Sequence, residues 1–149
     1  MKNMYLRLLL MTVLSFISMF VLMYMMVNEY DDVFANLNQA YMAAIMTAPM
    51  VLFELILMGS MYKNRKINIV LGVVAAVVLV VFSYSIRKQT AIEDKEFLRS
   101  MIPHHGGAVL MCKNAEIQDQ EIKELCQTII SSQESEIGWM KKKLNELNR

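Results

Sequence analysis

The chain has 149 residues, 56% hydrophobic and 19% charged, with a formal net charge of +1. A mean hydropathy of +0.35 is too high for an ordinary soluble domain of this size. No basic patch is interleaved with aromatic residues, which argues against nucleic acid as a partner.

The apolar excess lies almost entirely before Arg87. Three runs, Leu8 to Val27, Ala40 to Tyr62 and Ile67 to Ile86, each reach about the 20 residues a helix needs to cross a bilayer core. Backbone polar groups inside lipid must be satisfied within each span, so all three are predicted helices, the Val-rich third included. Lys2 and Arg7 precede the first run as in a secretory signal, but the apolar stretch is too long and no A-x-A-like site follows. An uncleaved anchor is expected.

Charge sets the expected orientation. Lys2, Arg7 and the turn Lys63-Asn64-Arg65-Lys66 are basic, whereas Asn28 to Gln39 carries Glu29, Asp31 and Asp32 and no Lys or Arg. The N-terminus and second loop should face the cytoplasm and the C-terminal part should lie outside it, with Arg87 and Lys88 weakening the bias.

Within the spans, Glu54 needs a partner or a proton; Thr12, Ser15 and Arg7 are the candidates. It reads either as part of an ion relay or, more simply, as an interhelical hydrogen bond. Of fifteen methionines, Met19, Met23, Met25 and Met26 end the first span at the level where Met42, Met46 and Met50 begin the second, beside a kink expected at Pro49. Thioethers suit Cu(I), so a methionine vestibule is one reading; flexible apolar filler is the simpler one.

Residues 1–88 thus form a membrane region, and 89–149 a second domain with amphipathic helices expected over Thr90 to Ala115 and Gln120 to Leu147. The turn Glu116 to Asp119 closes them into an αα-hairpin, with Asp119 as N-cap. Ile122, Cys126, Ile129, Gln133, Ile137, Met140, Leu144 and Leu147 make the core stripe of the second helix. Facing it are Phe97, Leu98, Met101, His104, His105, Ala108, Met111, Cys112 and Ala115. Antiparallel pairing puts Cys112 near Cys126, His105 near Gln133, and Met101 near Ile137 or Met140.

That stripe gathers soft and borderline donors with almost no carboxylate, Glu136 being the nearby acid. The pattern favours Cu(I), with Ag(I) or Zn(II) as alternatives, over Mg, Ca or a carboxylate-bridged di-iron centre. A core whose His pair merely bonds Gln133 is the competing reading. Pro103 predicts a kink or a fresh helix start N-capped by Ser100. Gly106 and Gly107 permit close approach of another segment. For the cysteines a disulfide ranks first outside the cytoplasm, thiolate metal ligation second and buried thiols third.

The run Phe97-Leu98-Arg99-Ser100-Met101-Ile102-Pro103-His104-His105-Gly106-Gly107-Ala108-Val109-Leu110-Met111, followed by Ile129 to Met140, resembles the ferritin-like domain-of-unknown-function family number three hundred and five. The likeness covers about Lys95 to Leu147. It implies a helical bundle, usually exported or membrane-tethered in bacteria, with His- and Met-rich members implicated in copper binding and heavy-metal tolerance. Carried over by position, it implicates Met101, His104, His105, Met111 and Met140, with Gln133 and Glu136 beside them. Many relatives contain the hairpin twice and this chain once, and Cys112 and Cys126 stand where relatives usually carry small residues.

The expectation is an all-α protein: three transmembrane helices and an extracytoplasmic hairpin of ferritin-like four-helix-bundle type, completed as a homodimer or higher oligomer. Its expected role is metal handling at a bacterial inner membrane, with copper held by Met101, His104, His105, Met111, Cys112, Cys126 and Met140 for sequestration, tolerance or delivery. It is expected to be a binder and not an enzyme, since the hairpin lacks the E-x-x-H pattern of di-iron bundles. The alternatives are an oligomerisation module with structural histidines and a small oligomeric transporter component.

Overall fold

The structure, a computed structural model, describes residues 2–149, with side chains described from Met4 onward. Lys2, used above for charge placement, has its side chain outside the described set. The described residues form helices α1 (Lys2–Leu22), α2 (Leu37–Leu57), α3 (Arg65–Lys88), α4 (Asp94–Asn114) and α5 (Gln120–Leu147), with 3-10 turns at Met23–Met26 and Tyr30–Asp32. They divide into two compact units, residues 1–23 with 38–91, and residues 24–37 with 92–149.

In the first unit α1, α2 and α3 are long and apolar enough to cross a membrane. Leu8, Val51, Tyr62 and Ala75 form the small buried core, while most other apolar side chains face outward, a pattern compatible with helices that cross a membrane. Asn64 caps α3, its side chain accepting from the N–H groups of Lys66 and Ile67. The other end of α3 closes on Gln89 in the left-handed region (φ 50°), and Gln89 Nε2 donates to Ile86 O at 2.7 Å. Ala91 also has positive φ (58°), so the chain turns over 89–91 and the next helix begins at Asp94, four residues later than the expected Thr90.

Glu54 lies near the end of α2, because that helix stops at Leu57 rather than running to Tyr62. The buried Tyr62 folds back and donates from its hydroxyl to Glu54 Oε1 at 2.9 Å. The expected partners Thr12, Ser15 and Arg7 are thereby replaced; Thr12 donates instead to Leu8 O.

In the second unit α4 and α5 form the expected antiparallel hairpin around Leu98, Ile102, Ile137, Met140 and Leu144. Asp119 is the N-cap of α5, accepting from Ile122 N–H at 3.0 Å. The segment 24–37 belongs to this unit as well, and Phe34 packs against the hairpin core.

Pro103 starts no new helix. α4 runs through it, and Ser100, expected as a cap, donates its hydroxyl to Glu96 O at 2.6 Å. Proline at position 103 deprives Arg99 O of its helical N–H donor. Asn36, buried in the segment 24–37, supplies a replacement: its Nδ2 donates to Arg99 O at 3.4 Å and to Phe34 O at 2.9 Å.

Candidate metal-binding face of the helical hairpin

The glycines after the histidine pair are where segment 24–37 lies on α4. A Cβ at Gly106 would come within 3.2 Å of Val27 Cγ1 and 3.5 Å of Asn28 N and Asp32 Oδ2; one at Gly107 would meet Met26 O at 3.3 Å. Glu96 accepts from Leu37 N–H at 3.1 Å, Tyr24 donates to Phe34 O at 2.7 Å, and Lys141 ion-pairs with the buried Asp32 carboxylate. This flank of the hairpin is covered by the chain itself.

His104 points elsewhere. At 3.6 residues per turn, positions 104 and 106 project about 160° apart around a helix. His104 is exposed, while Gly106 is buried under the segment. Phe97, Met101, His104, Ala108 and Met111 follow one another at steps of four and three, forming a single stripe along α4. Phe97 is 49% exposed and Met111 55%. On α5 the positions 125, 129, 132, 136 and 139 repeat the same steps, with Leu125 56% and Trp139 62% exposed. The two stripes flank the hairpin seam on the side away from segment 24–37, leaving an open face there that mixes apolar side chains with His104, Ser132 and Glu136.

His105 is buried, and both ring nitrogens are engaged. Nδ1 lies 2.9 Å from Met101 O and Nε2 lies 2.7 Å from Glu136 Oε2. Both nitrogens are thus occupied by protein oxygens, and neither faces an open ligand position. The expected partner Gln133 sits one turn away; its Oε1 is buried with no hydrogen-bond partner among the described residues. The Ser132 hydroxyl at 2.8 Å, and secondly His105, hold the Glu136 carboxyl below its usual range. Across the seam Lys113 pairs with Glu134 at 2.7 Å, which raises the ammonium.

The seven expected metal ligands therefore separate. Cys112 and Cys126 form a disulfide, Cα to Cα 5.2 Å, so neither presents a thiolate. This is the first-ranked of the three cysteine readings, and it corrects their place among the ligands. Met140 is a core side chain packed with Ile137 and Leu144, and His105 is a hydrogen-bonded strut between the helices. Neither has a donor facing outward. That leaves the exposed His104 and Met111, with half-buried Met101 one turn before His104. Among the described residues no cluster of three His, Cys, Asp or Glu side chains is positioned to hold a metal ion. One chain thus offers two or three soft donors along an open helix face, a fit for part of a soft-metal site. Sequence patterning placed the donors on one helix; it did not reveal that Glu136 would take His105.

The arrangement defines a class: three membrane-compatible helices joined to a two-helix hairpin domain with a histidine- and methionine-bearing face. Residues 85–145 match the family described as a domain of unknown function, DUF305. The chain is 35% identical over 141 residues to the "Uncharacterized protein L153" of Acanthamoeba polyphaga mimivirus, covering 93% of this chain and 91% of that protein. The chain belongs to the family of that protein, and the likeness extends through the three membrane-compatible helices as well as the hairpin. No solved structure matches the chain. The named relative is viral, so it lends no support to the expected bacterial setting.

Proposed function

We propose that this is a membrane-anchored protein that binds Cu(I), or a similar soft ion, on the open α4 face through His104, Met111 and Met101, with a second copy completing the site. The observation that carries the reading is the exposure of His104 and Met111 on one stripe while the opposite flank is covered by segment 24–37. His104 and Met111 stand about 10 Å apart along the helix, too far for easy chelation of one ion by one chain. In an antiparallel two-fold pairing of α4 helices centred near Ala108, His104 of each copy lies opposite Met111 of the other. The small side chain of Ala108 at the centre permits close approach. Two imidazole–thioether pairs result, a donor set that suits Cu(I).

Such pairing also covers Phe97, Leu125 and Trp139, apolar surface that a hairpin of two helices leaves open. The disulfide supports placing the hairpin in an oxidising compartment outside the cytoplasm. Metal sequestration, tolerance or delivery at the membrane surface is the role that follows. Native mass spectrometry of the detergent-solubilised protein tests the stoichiometry: addition of Cu(I) should populate a dimer carrying metal, and metal-free dimers unchanged by Cu(I) would overturn it.

A second reading, an oligomerisation module with structural histidines, is favoured by His105, whose two nitrogens are spent on Met101 O and Glu136. It predicts the same dimer with no response to metal. The transporter reading is weakened, since Glu54 sits in the last turn of α2 with Tyr62 as its partner.

A further inference from the structure

A cavity of about 760 Å³ lies among α1, α2 and α3 in the first unit. Its wall on α1 runs from Tyr5 to Phe16, twelve residues or about 16 Å at helical rise. That length is close to one leaflet of the hydrocarbon core, about 15 Å. Its polar wall residues offer little to a ligand. Thr12 donates to Leu8 O at 2.8 Å and Thr47 to Ala43 O at 2.7 Å, each spent on its own helix. The wall is otherwise hydrocarbon, including Leu8, Ala48, Val51 and Ala75.

A single file of methylenes fits within the cavity's length and volume. Charge then distinguishes the lipid. The end at Tyr5 and Ile67 adjoins the exposed turn Lys63-Asn64-Arg65-Lys66, whose three cations have no acidic partner among the described residues. The Tyr5 hydroxyl, donating to Asn68 Oδ1 at 2.8 Å, marks the same level as polar. Basic side chains next to a membrane attract anionic headgroups.

We propose that the cavity is a lipid site: it seats one acyl chain of an anionic phospholipid from the leaflet adjoining residues 63–66, with Arg65 and Lys66 holding the headgroup. The lipid replaces the packing that the three helices do not make with one another, and the site is independent of the metal-binding face.

The test uses full-length protein reconstituted in vesicles of equal phosphatidylglycerol and phosphatidylcholine, re-extracted in a delipidating detergent and weighed by native mass spectrometry. Wild type should retain one phosphatidylglycerol per chain. Ala48→Phe/Ala75→Phe, which fills the cavity, should lower the lipid-bound fraction at least fivefold. Arg65→Gln/Lys66→Gln, exposed and outside the core, should keep a lipid but lose the preference for phosphatidylglycerol. Wild type that retains no lipid, a filled cavity that retains it fully, or an unchanged preference in the charge variant would each overturn the proposal. Should the filled variant fail to fold by circular dichroism, the charge variant decides alone. Conversion of a dimer to monomer by the filled variant, with no lipid in wild type, would assign the cavity to a second copy instead.

Discussion

Asn36 and Pro103 should be energetically coupled although 67 positions separate them in sequence. Pro103 leaves Arg99 O without its helical donor, and Asn36 Nδ2 takes that place while also bonding Phe34 O. Asn36→Ala leaves Arg99 O short of a partner in a buried setting and removes one of the two donors to Phe34 O, which keeps the Tyr24 hydroxyl, a loss of about 2 kcal/mol from the usual cost of an unmade buried hydrogen bond. Pro103→Ala returns an N–H within reach of Arg99 O, so the same Asn36→Ala change in that background should cost only about 1 kcal/mol. Native-state hydrogen exchange of the solubilised protein, read on peptides covering residues 99–110, reports the difference directly. A coupling of about 1 kcal/mol is roughly fivefold in exchange rate. Costs that add to within about 0.4 kcal/mol would refute the reasoning, because independent sites behave that way.

Three further variants probe the same unit. Gly106→Val places branched carbon against Val27 Cγ1 and the backbone at Asn28, so segment 24–37 should lift off, with protease cleavage within 26–34 accelerated more than tenfold. Gly138→Ala, with nothing within 4 Å of the added carbon, should instead stabilise α5 by roughly 0.5–1 kcal/mol by thermal melting. Glu136 is held below its usual range, so its contribution to stability is present above the ordinary carboxylate value and lost as pH falls through the lowered one. Ser132→Ala removes the larger cause, and the Glu136 carboxyl titration followed by NMR should move upward toward the ordinary range while the His105 contact persists; no movement would mean the hydroxyl contributes nothing.

The elements themselves were legible because their periods are plain. Three apolar runs, a 3–4 stripe from Ile122 to Leu147 and the cap at Asp119 each carry a local signal, and the helices lie close to the expected places. Boundaries shifted where backbone conformation intervened: positive φ at Gln89 and Ala91 delays α4, and the end of α2 at Leu57 moves Glu54 to its last turn. Tertiary contacts were not legible. The expected break at Pro103 presumed an unsatisfied Arg99 carbonyl, and nothing local announces that Asn36 will bond it. Gly106 and Gly107 signalled a close approach but not its source, which proved to be the segment between α1 and α2.

The candidate site was half legible for the same reason. Helical spacing placed Met101, His104, His105 and Met111 on one helix, yet a rotation of 100° per residue separates the exposed His104 from the buried His105. Pairing by register favoured Gln133 for His105, whereas the imidazole reaches Glu136. Sequence ranking of a disulfide ahead of thiolate ligation matched the structure, because Cys112 and Cys126 close the hairpin at equivalent positions.

The most direct measurement is Cu(I) affinity of the purified, full-length protein in detergent, by competition with a chromophoric chelator, for wild type, His104→Ala/Met111→Leu and His105→Gln. Metal handling at the open α4 face predicts tight binding at one ion per His104–Met111 pair, reduced at least a hundredfold in the double variant and within a few-fold of wild type in His105→Gln. Equal binding by wild type and the double variant, or no binding by wild type, would contradict the account and leave a membrane-anchored oligomerisation module.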